Sequence, residues 1–403
     1  MGNGACCSLQ QLCNATQGVC AEAQMDSQAP IPEVALDSHG NPDSVKVAFV
    51  FAGGRHLRGT DGPSDFFYGA RELSSRLGWS VDCLELDSDP VDPLTGLIAG
   101  RLLGKLVPPR TSAAWIARTR RLLPKLEGYD VVVATATEIS FGLALWKELG
   151  LFKKPLVGIL CGAVNYPIGS EVRRIITARL LRRMQAVLFA DSEEAEIRKR
   201  FKPDADEIQS GWFGVDETFW IPPPIDGNRS GVLAVGNDGR RDYGTLVEAA
   251  RILSAIPFTV VTRLDAPDNL PKNVLWRRGD WKENALSDEG LRDLYQTAAC
   301  VLVPLRESLQ PSGQSVAMQA MMCEAPVVIT KTAGWWGSDV IRDGKEVRLV
   351  SPENAEEFAK AIQASVSTVS VHAGRNALLA AKWTAQGFAE RLAAIIQKAR
   401  TSR

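Results

Sequence analysis

Residues 300–331 read CVLVPLRESLQPSGQSVAMQAMMCEAPVVITK, and this stretch decides the fold class. An apolar run over 300–305 leads into a polar loop over 306–313, a helix-spaced segment over 314–323 and a β-branched run over 327–330. The order is strand, loop, helix, strand. Its loop opens onto a helix N-terminus, where N–H groups without an intrahelical partner and the helix dipole favour an anion. The pattern predicts a phosphate-bearing ligand at residues 312–316.

Around this unit the chain has 403 residues, 45% hydrophobic and 23% charged, enough for two domains with sizeable cores. The formal net charge of -1 carries no basic bias toward nucleic acid. There is no run of eighteen apolar residues, so no spanning helix is predicted. Of the 8 cysteines, Cys6, Cys7, Cys13 and Cys20 precede residue 21, while Cys83, Cys161, Cys300 and Cys323 sit in apolar runs. Scattered thiols of the second kind read as small buried hydrophobes in a reducing compartment, which points to the cytoplasm. There is no C-x-x-C pair, and His39, His56 and His372 do not cluster with acids, so no metal is expected.

Residues 1–43 lack hydrophobic periodicity and read as a disordered extension, or as sequence upstream of a start at Met25. Cys6 stands where an acylation signal wants Ser or Thr, and no apolar core marks a secretory signal. From Val45 the strand VKVAFVF ends in Gly53 and Gly54, and a helix is predicted over 64–77. Strand-like VDCLEL, DVVVATAT, PLVGIL and AVLFADS then alternate with helical segments, the signature of parallel β-α-β crossovers. Pro222, Pro223 and Pro224 break the pattern, and a second alternating series begins at GVLAVG. The predicted organisation is an extension over 1–43, a Rossmann-like acceptor-side domain over 44–222 and a Rossmann-like nucleotide-sugar domain over 223–383. A C-terminal helix over 384–403 returns to the first domain. The fold class is α/β, two tandem Rossmann-like domains with ligands at the carboxyl ends of the strands.

Four segments carry a family likeness: FGVDETFW at 213–220, GNDGRRDYGTLVEAA at 236–250, NVLWRRGD at 273–280 and QSVAMQAMMCEAPVV at 314–328. In order and spacing they resemble the GT-B-fold glycosyltransferases, specifically the retaining, nucleotide-sugar-dependent family 4. The resemblance runs from Val45 to Ala399. It implies a nucleoside diphosphate sugar as donor, a saccharide or lipid-linked acceptor, and neither a metal nor another cofactor. The family's loop-and-helix motif carries two glutamates; the second, a ribose contact, falls on Gln319 and the first on Pro311, with Glu307 the stand-in from the preceding loop. Gln319 otherwise reads as a partly exposed helix glutamine. Backbone N–H groups of Ser312, Gly313, Gln314 and Ser315 face the diphosphate or sugar, and Gly313 allows close approach.

The family's glycine before Pro-Val-Val becomes Glu324, at a position suited to a left-handed helix cap. The resemblance places a diphosphate-neutralising cation at Arg241, with Arg240 beside it, after Gly236 and Asn237. Arg278 and Trp281 lie where the base-binding loop follows its strand; Trp281 reads equally as a stacking platform or a core residue. Gly53 and Gly54 match the glycine-rich loop that approaches the sugar or phosphate, and His56 in that loop reads better as exposed. Where the family often has a first-domain histidine, this chain has Cys161, Gly162, Ala163, Val164 and Asn165. Retaining enzymes of this kind let the leaving phosphate assist acceptor deprotonation, so a missing protein base does not exclude turnover.

Basic segments at 101–125 and 173–183 combine arginine with leucine and isoleucine. They read as helices packed on the sheet with a solvated basic face, or as a peripheral membrane contact. Two other function classes fit the departures at Pro311, Gln319 and Asn237: a non-catalytic relative acting as a binding or scaffold subunit, and a nucleotide-sugar epimerase. A dinucleotide oxidoreductase fits poorly, because Gly53-Gly54 is not followed by a G-x-G-x-x-G helix entry.

Overall fold

A computed structural model describes residues 45–54, 62–86, 107–108, 111–164, 169–224, 228–279, 285–337, 339–367 and 372–401. The first half holds strands β1 (Lys46–Phe51), β2 (Ser80–Glu85), β3 (Val131–Ala134), β4 (Leu156–Ile159), β5 (Gln185–Leu188) and β6 (Ile208–Ser210). They form a parallel sheet in the order β2-β1-β3-β4-β5-β6. Helices α1 (Ala70–Leu77), α2 (Ala113–Leu126), α3 (Thr137–Glu148), α4 (Glu171–Leu181) and α5 (Asp191–Phe201) connect these strands. Because successive strand residues face opposite sides, Val47, Phe49 and Phe51 enter one core with Leu73 and Phe388, while Ala48 and Val50 enter another with Ile116 and Leu123. Burial on both faces explains why β1 is apolar without alternation.

The second half repeats the design with β7 (Ser230–Val235), β8 (Phe258–Thr262), β9 (Val274–Arg278), β10 (Ala298–Val303), β11 (Val327–Thr330) and β12 (Arg348–Val350). Helices α6 (Tyr243–Ile252), α7 (Asp288–Thr297), α8 (Gln314–Met322), α9 (Ala355–Ser367) and α10 (His372–Ala380) accompany them. The sheet order β12-β11-β10-β7-β8-β9 reverses direction between β7 and β10. At such a switch point the loops leaving the two neighbouring strands part, and a crevice opens at their carboxyl ends. The opening stretch of the sequence supplies β10, α8 and β11, one wall of that crevice.

Two chain segments cross between the halves side by side: Val215 pairs in parallel with Thr384, and Ala385 N donates to Val215 O at 2.8 Å. The final helix α11 (Ala385–Thr401) then lies on the first half, where Phe388 stacks on Phe189 at 6.3 Å between ring centroids. A side chain at Gly69 would come within 3.1 Å of Ala389 Cα, so glycine sets how closely α11 approaches. Gly69 (φ 79) and Tyr68 (φ 51) also break the single helix predicted over 64–77 into a 3-10 turn, Ser64–Phe67, and α1. The break leaves Ser64 and Asp65 buried rather than on a helix surface.

Two other expectations change. Cys300 and Cys323 are buried, but Cys83, on the edge strand β2, is exposed and Cys161 is half-buried. On α4 and its C-cap Arg182, Val172 and Ile175 face solvent together with Arg179 and Arg182, whereas Leu180 and Leu181 face the core. Among the described residues no helix is long and apolar enough to cross a membrane, and no group of three His, Cys, Asp or Glu is arranged to hold a metal. The extension over 1–43, His56, Trp281 and the basic stretch 101–106 lie outside the described residues.

Candidate functional site

At the switch point the loop after β7 is zipped to the loop after β10. Asp242 N donates to Pro304 O at 3.1 Å, Arg306 N donates to Arg240 O at 2.9 Å, and Arg241 forms an antiparallel bridge with Leu305. This pins Arg241, whose side chain is 3% exposed, against the crevice wall. Its Nε donates to Val235 O at 3.2 Å. A Cβ on Gly236 would lie 2.0 Å from that Nε, so the guanidinium crosses space only glycine leaves open. Nη1 lies 3.5 Å from where a Cβ on Gly313 would stand. It is also 3.3 Å from Asp238 Oδ2, yet without hydrogen-bond geometry, and its donor capacity is unused.

Gly313 is the N-cap of α8 and adopts φ 73, a conformation that favours glycine; a Cβ would also strike Val303 Cγ1 at 2.5 Å. No side chain caps α8, so the N–H groups of its first turn have no intrahelical acceptor. The residues flanking Gly313 add two more buried polar atoms without a hydrogen bond, Ser312 Oγ and Gln314 Nε2. An unmade bond at a buried donor costs about 1–3 kcal/mol. A buried cation and a helix N-terminus thus meet at one N-cap, flanked by two residues with unsatisfied polar groups, an arrangement that suits a polyanion.

The remaining predicted residues separate into those at the crevice and those consumed by the fold. Asn237 stitches strand ends: its Nδ2 donates to Gly279 O at 3.0 Å, and its Oδ1 accepts from Arg263 N at 2.6 Å. Arg240 is half-buried beside Arg241, and Arg278 is exposed at the end of β9. Ser315 is half-buried in the first turn of α8. Gly53 and Gly54 have φ 105 and 83, and Gly54 N donates to Glu85 Oε2 at 2.8 Å, which holds the loop after β1 against β2. Glu307 is exposed, and its Oε1 accepts from Ser308 N at 2.9 Å and Ala333 N at 2.8 Å, joining two loops. Gln319 is 2% exposed, so it is not the partly exposed helix glutamine of the alternative reading, and its Nε2 donates to Asp65 Oδ2 at 2.8 Å.

Residues 232–368 match the family described as "Glycosyl transferases group 1". That segment contains the whole Arg241 and α8 crevice. The chain is also similar in structure to a glycosyltransferase from Rickettsia africae, with a TM-score of 0.64 at 13% identity over 90% of this chain and 100% of that one. A sucrose-phosphate synthase from Thermosynechococcus elongatus superposes with a TM-score of 0.61 at 18% identity, over 88% and 98% of the two chains. The Anabaena protein HepE, solved with UDP-glucose, superposes with a TM-score of 0.61 at 14% identity, over 88% and 99%. No curated protein matches the sequence. The architecture is GT-B, two six-stranded parallel α/β sheets.

Sequence reasoning missed a buried polar junction beneath the crevice. Asp65 Oδ1 accepts from Asp216 N at 2.8 Å, and its Oδ2 accepts from Trp220 Nε1 and Gln319 Nε2, each at 2.8 Å. Asp216 in turn accepts from Ser64 N at 2.8 Å, and Tyr295 OH donates to Gln319 Oε1 at 3.4 Å. Burial pushes the Asp65 carboxyl up to about 7, against the lowering effect of its three N–H donors. The one sequence signal was local: a β1 loop that ends in Pro63-Ser64-Asp65, residues that favour turns over a continuing helix.

Proposed function

We propose that the chain is a retaining glycosyltransferase of the family 4 type, moving a sugar from a nucleoside diphosphate donor to a saccharide or lipid-linked acceptor. The observation that carries this reading is the unsatisfied Arg241 Nη1 beside the N-cap Gly313, inside a segment matching glycosyl transferases group 1. The UDP-glucose held by the structurally similar HepE supports a uridine nucleotide as the first donor to test. Arg241 and the α8 N-terminus take the diphosphate, with Ser312, Gln314 and Arg240 lining it. As the glycosidic bond breaks, negative charge grows on the leaving phosphate, and a fixed cation in a site shielded from water stabilises it. Gly53 and Gly54 offer backbone to the sugar from the first half. The Val172, Ile175, Arg179 and Arg182 face of α4 suits contact with an anionic lipid surface that presents the acceptor.

Isothermal titration with UDP, GDP and ADP tests the reading. One of them is expected to bind, and Arg241→Ala is expected to weaken that binding at least about 10-fold, a loss of about 1.4 kcal/mol. A folded protein that binds none of the three refutes it. Pro311 at a family glutamate position, with Glu307 engaged between loops, favours a second reading, a donor-binding subunit without turnover. Release or transfer of sugar from the bound donor decides between the two.

A further inference from the structure

We propose that Gln319 is one half of a pin that locks the second half of the molecule to the first through Asp65, and that it takes no part in reading ribose. The partners lie 254 positions apart in sequence, on α8 and on the 3-10 turn after β1. Both are at least 98% buried, with 2% exposure each. Their bond lies within a group of buried aromatic side chains: Trp220 from the linker donates to the same oxygen, and Tyr295 from α7 closes the other end of the amide. Trp220 and Tyr295 are themselves fully buried and meet edge to face at 5.7 Å. The pin stands beside the crossovers, since the linker carrying Asp216 and Trp220 also pairs with Thr384.

The chemistry explains the amide. Among the described residues every hydrogen-bond partner of the Asp65 carboxyl is an uncharged N–H group, so position 319 must present a donor. A glutamate there, as the family pattern has it, would set two carboxyl groups in hydrogen-bond contact in a buried site, where both cannot ionise. The titratable groups around the pair are Asp216 on the linker, Tyr295 on α7 and Cys323 at the end of α8, with Arg241 acting on Tyr295. Glutamine at 319 is therefore the complement of an acid at 65, whatever the donor.

The test is an exchange of charge. Gln319→Glu, Asp65→Asn and the double variant are compared by urea unfolding at about pH 5.5 and about pH 8.5. Gln319→Glu is expected to lower the unfolding midpoint strongly at the higher pH and to recover at the lower, where the two carboxyls share a proton. Adding Asp65→Asn is expected to restore the midpoint at the higher pH. If Gln319→Glu fails to fold at any pH while the double variant folds, the pin stands. Equal midpoints for wild type and Gln319→Glu at the higher pH, or strictly additive losses in the double variant, overturn it. In a separate arm, Gln319→Met is titrated with UDP, GDP and ADP. Unchanged affinity with a lowered unfolding midpoint supports the pin, and a 10-fold loss of affinity with an unchanged midpoint overturns it. The unfolding arm needs no ligand, so its result is independent of the glycosyltransferase reading.

Discussion

Asp65 makes the stability of this protein depend on pH in a direction opposite to that of most carboxylates. Its carboxyl is raised from an ordinary 3.8 to about 7 because burial removes water from the charged form, and its N–H donors only partly offset this. A folded-state value above the unfolded one means the group favours folding fully below about pH 4, and this contribution is lost as pH rises through about 7. About three pH units at about 1.4 kcal/mol each give a loss of roughly 4 kcal/mol across that window. Asp65→Asn has no such titration. It leaves one N–H donor facing an amide NH2, a cost of about 1–3 kcal/mol at every pH. The stability advantage of wild type over Asp65→Asn should therefore shrink by roughly 4 kcal/mol between about pH 4 and pH 8. Paired urea titrations followed by tryptophan fluorescence measure this difference directly, and titrations common to both proteins cancel. A difference that stays flat across the window, or grows with pH, refutes the reasoning.

Gly236→Ala tests the seat of Arg241 without removing the charge. Its Cβ would overlap the guanidinium at 2.0 Å, so the side chain must swing away, and nucleotide affinity by titration should fall nearly as far as in Arg241→Ala; because Gly236 has φ 156, the unfolding midpoint should fall as well. Arg391 on α11 is buried, stacks over Trp212 at 4.6 Å and leaves Nε and Nη2 without a hydrogen bond. Burial lowers its pKa to about 10. Because an uncompensated buried cation costs more than its packing returns, Arg391→Met should match or exceed wild-type stability in urea; a loss above about 2 kcal/mol would count against this.

The fold was legible because its determinants are local. Strand runs buried on both faces are continuously apolar, helices show their spacing, and the alternation of the two admits few topologies. Glu324, which stands where the resembling family has a glycine, has φ 58 just past the end of α8, the left-handed cap that the glycine implied. Where locality failed, the cause was a contact made by a distant segment. Residues 64–77 have helical spacing, yet Gly69 is held open for α11, a neighbour about 320 positions away, and the helix splits. Glu307 sits in the right loop, but its carboxylate is taken by Ala333 N from a loop that only the fold brings near.

The departures from the family pattern and the unsatisfied groups fall on different residues. Asn237 and Gln319, which stand where the resembling family has charged side chains, use both the oxygen and the nitrogen of their amides in hydrogen bonds inside the protein. Among the buried atoms without a hydrogen bond, three belong to Arg241, Ser312 and Gln314, at or beside an N-cap whose φ favours glycine. The Arg241 side chain passes over Gly236, whose lack of a Cβ leaves it room, and its Nη1 faces the N-cap Gly313, an arrangement that suits an anion. Of the two changed residues, Gln319 bonds across the halves and Asn237 within the second.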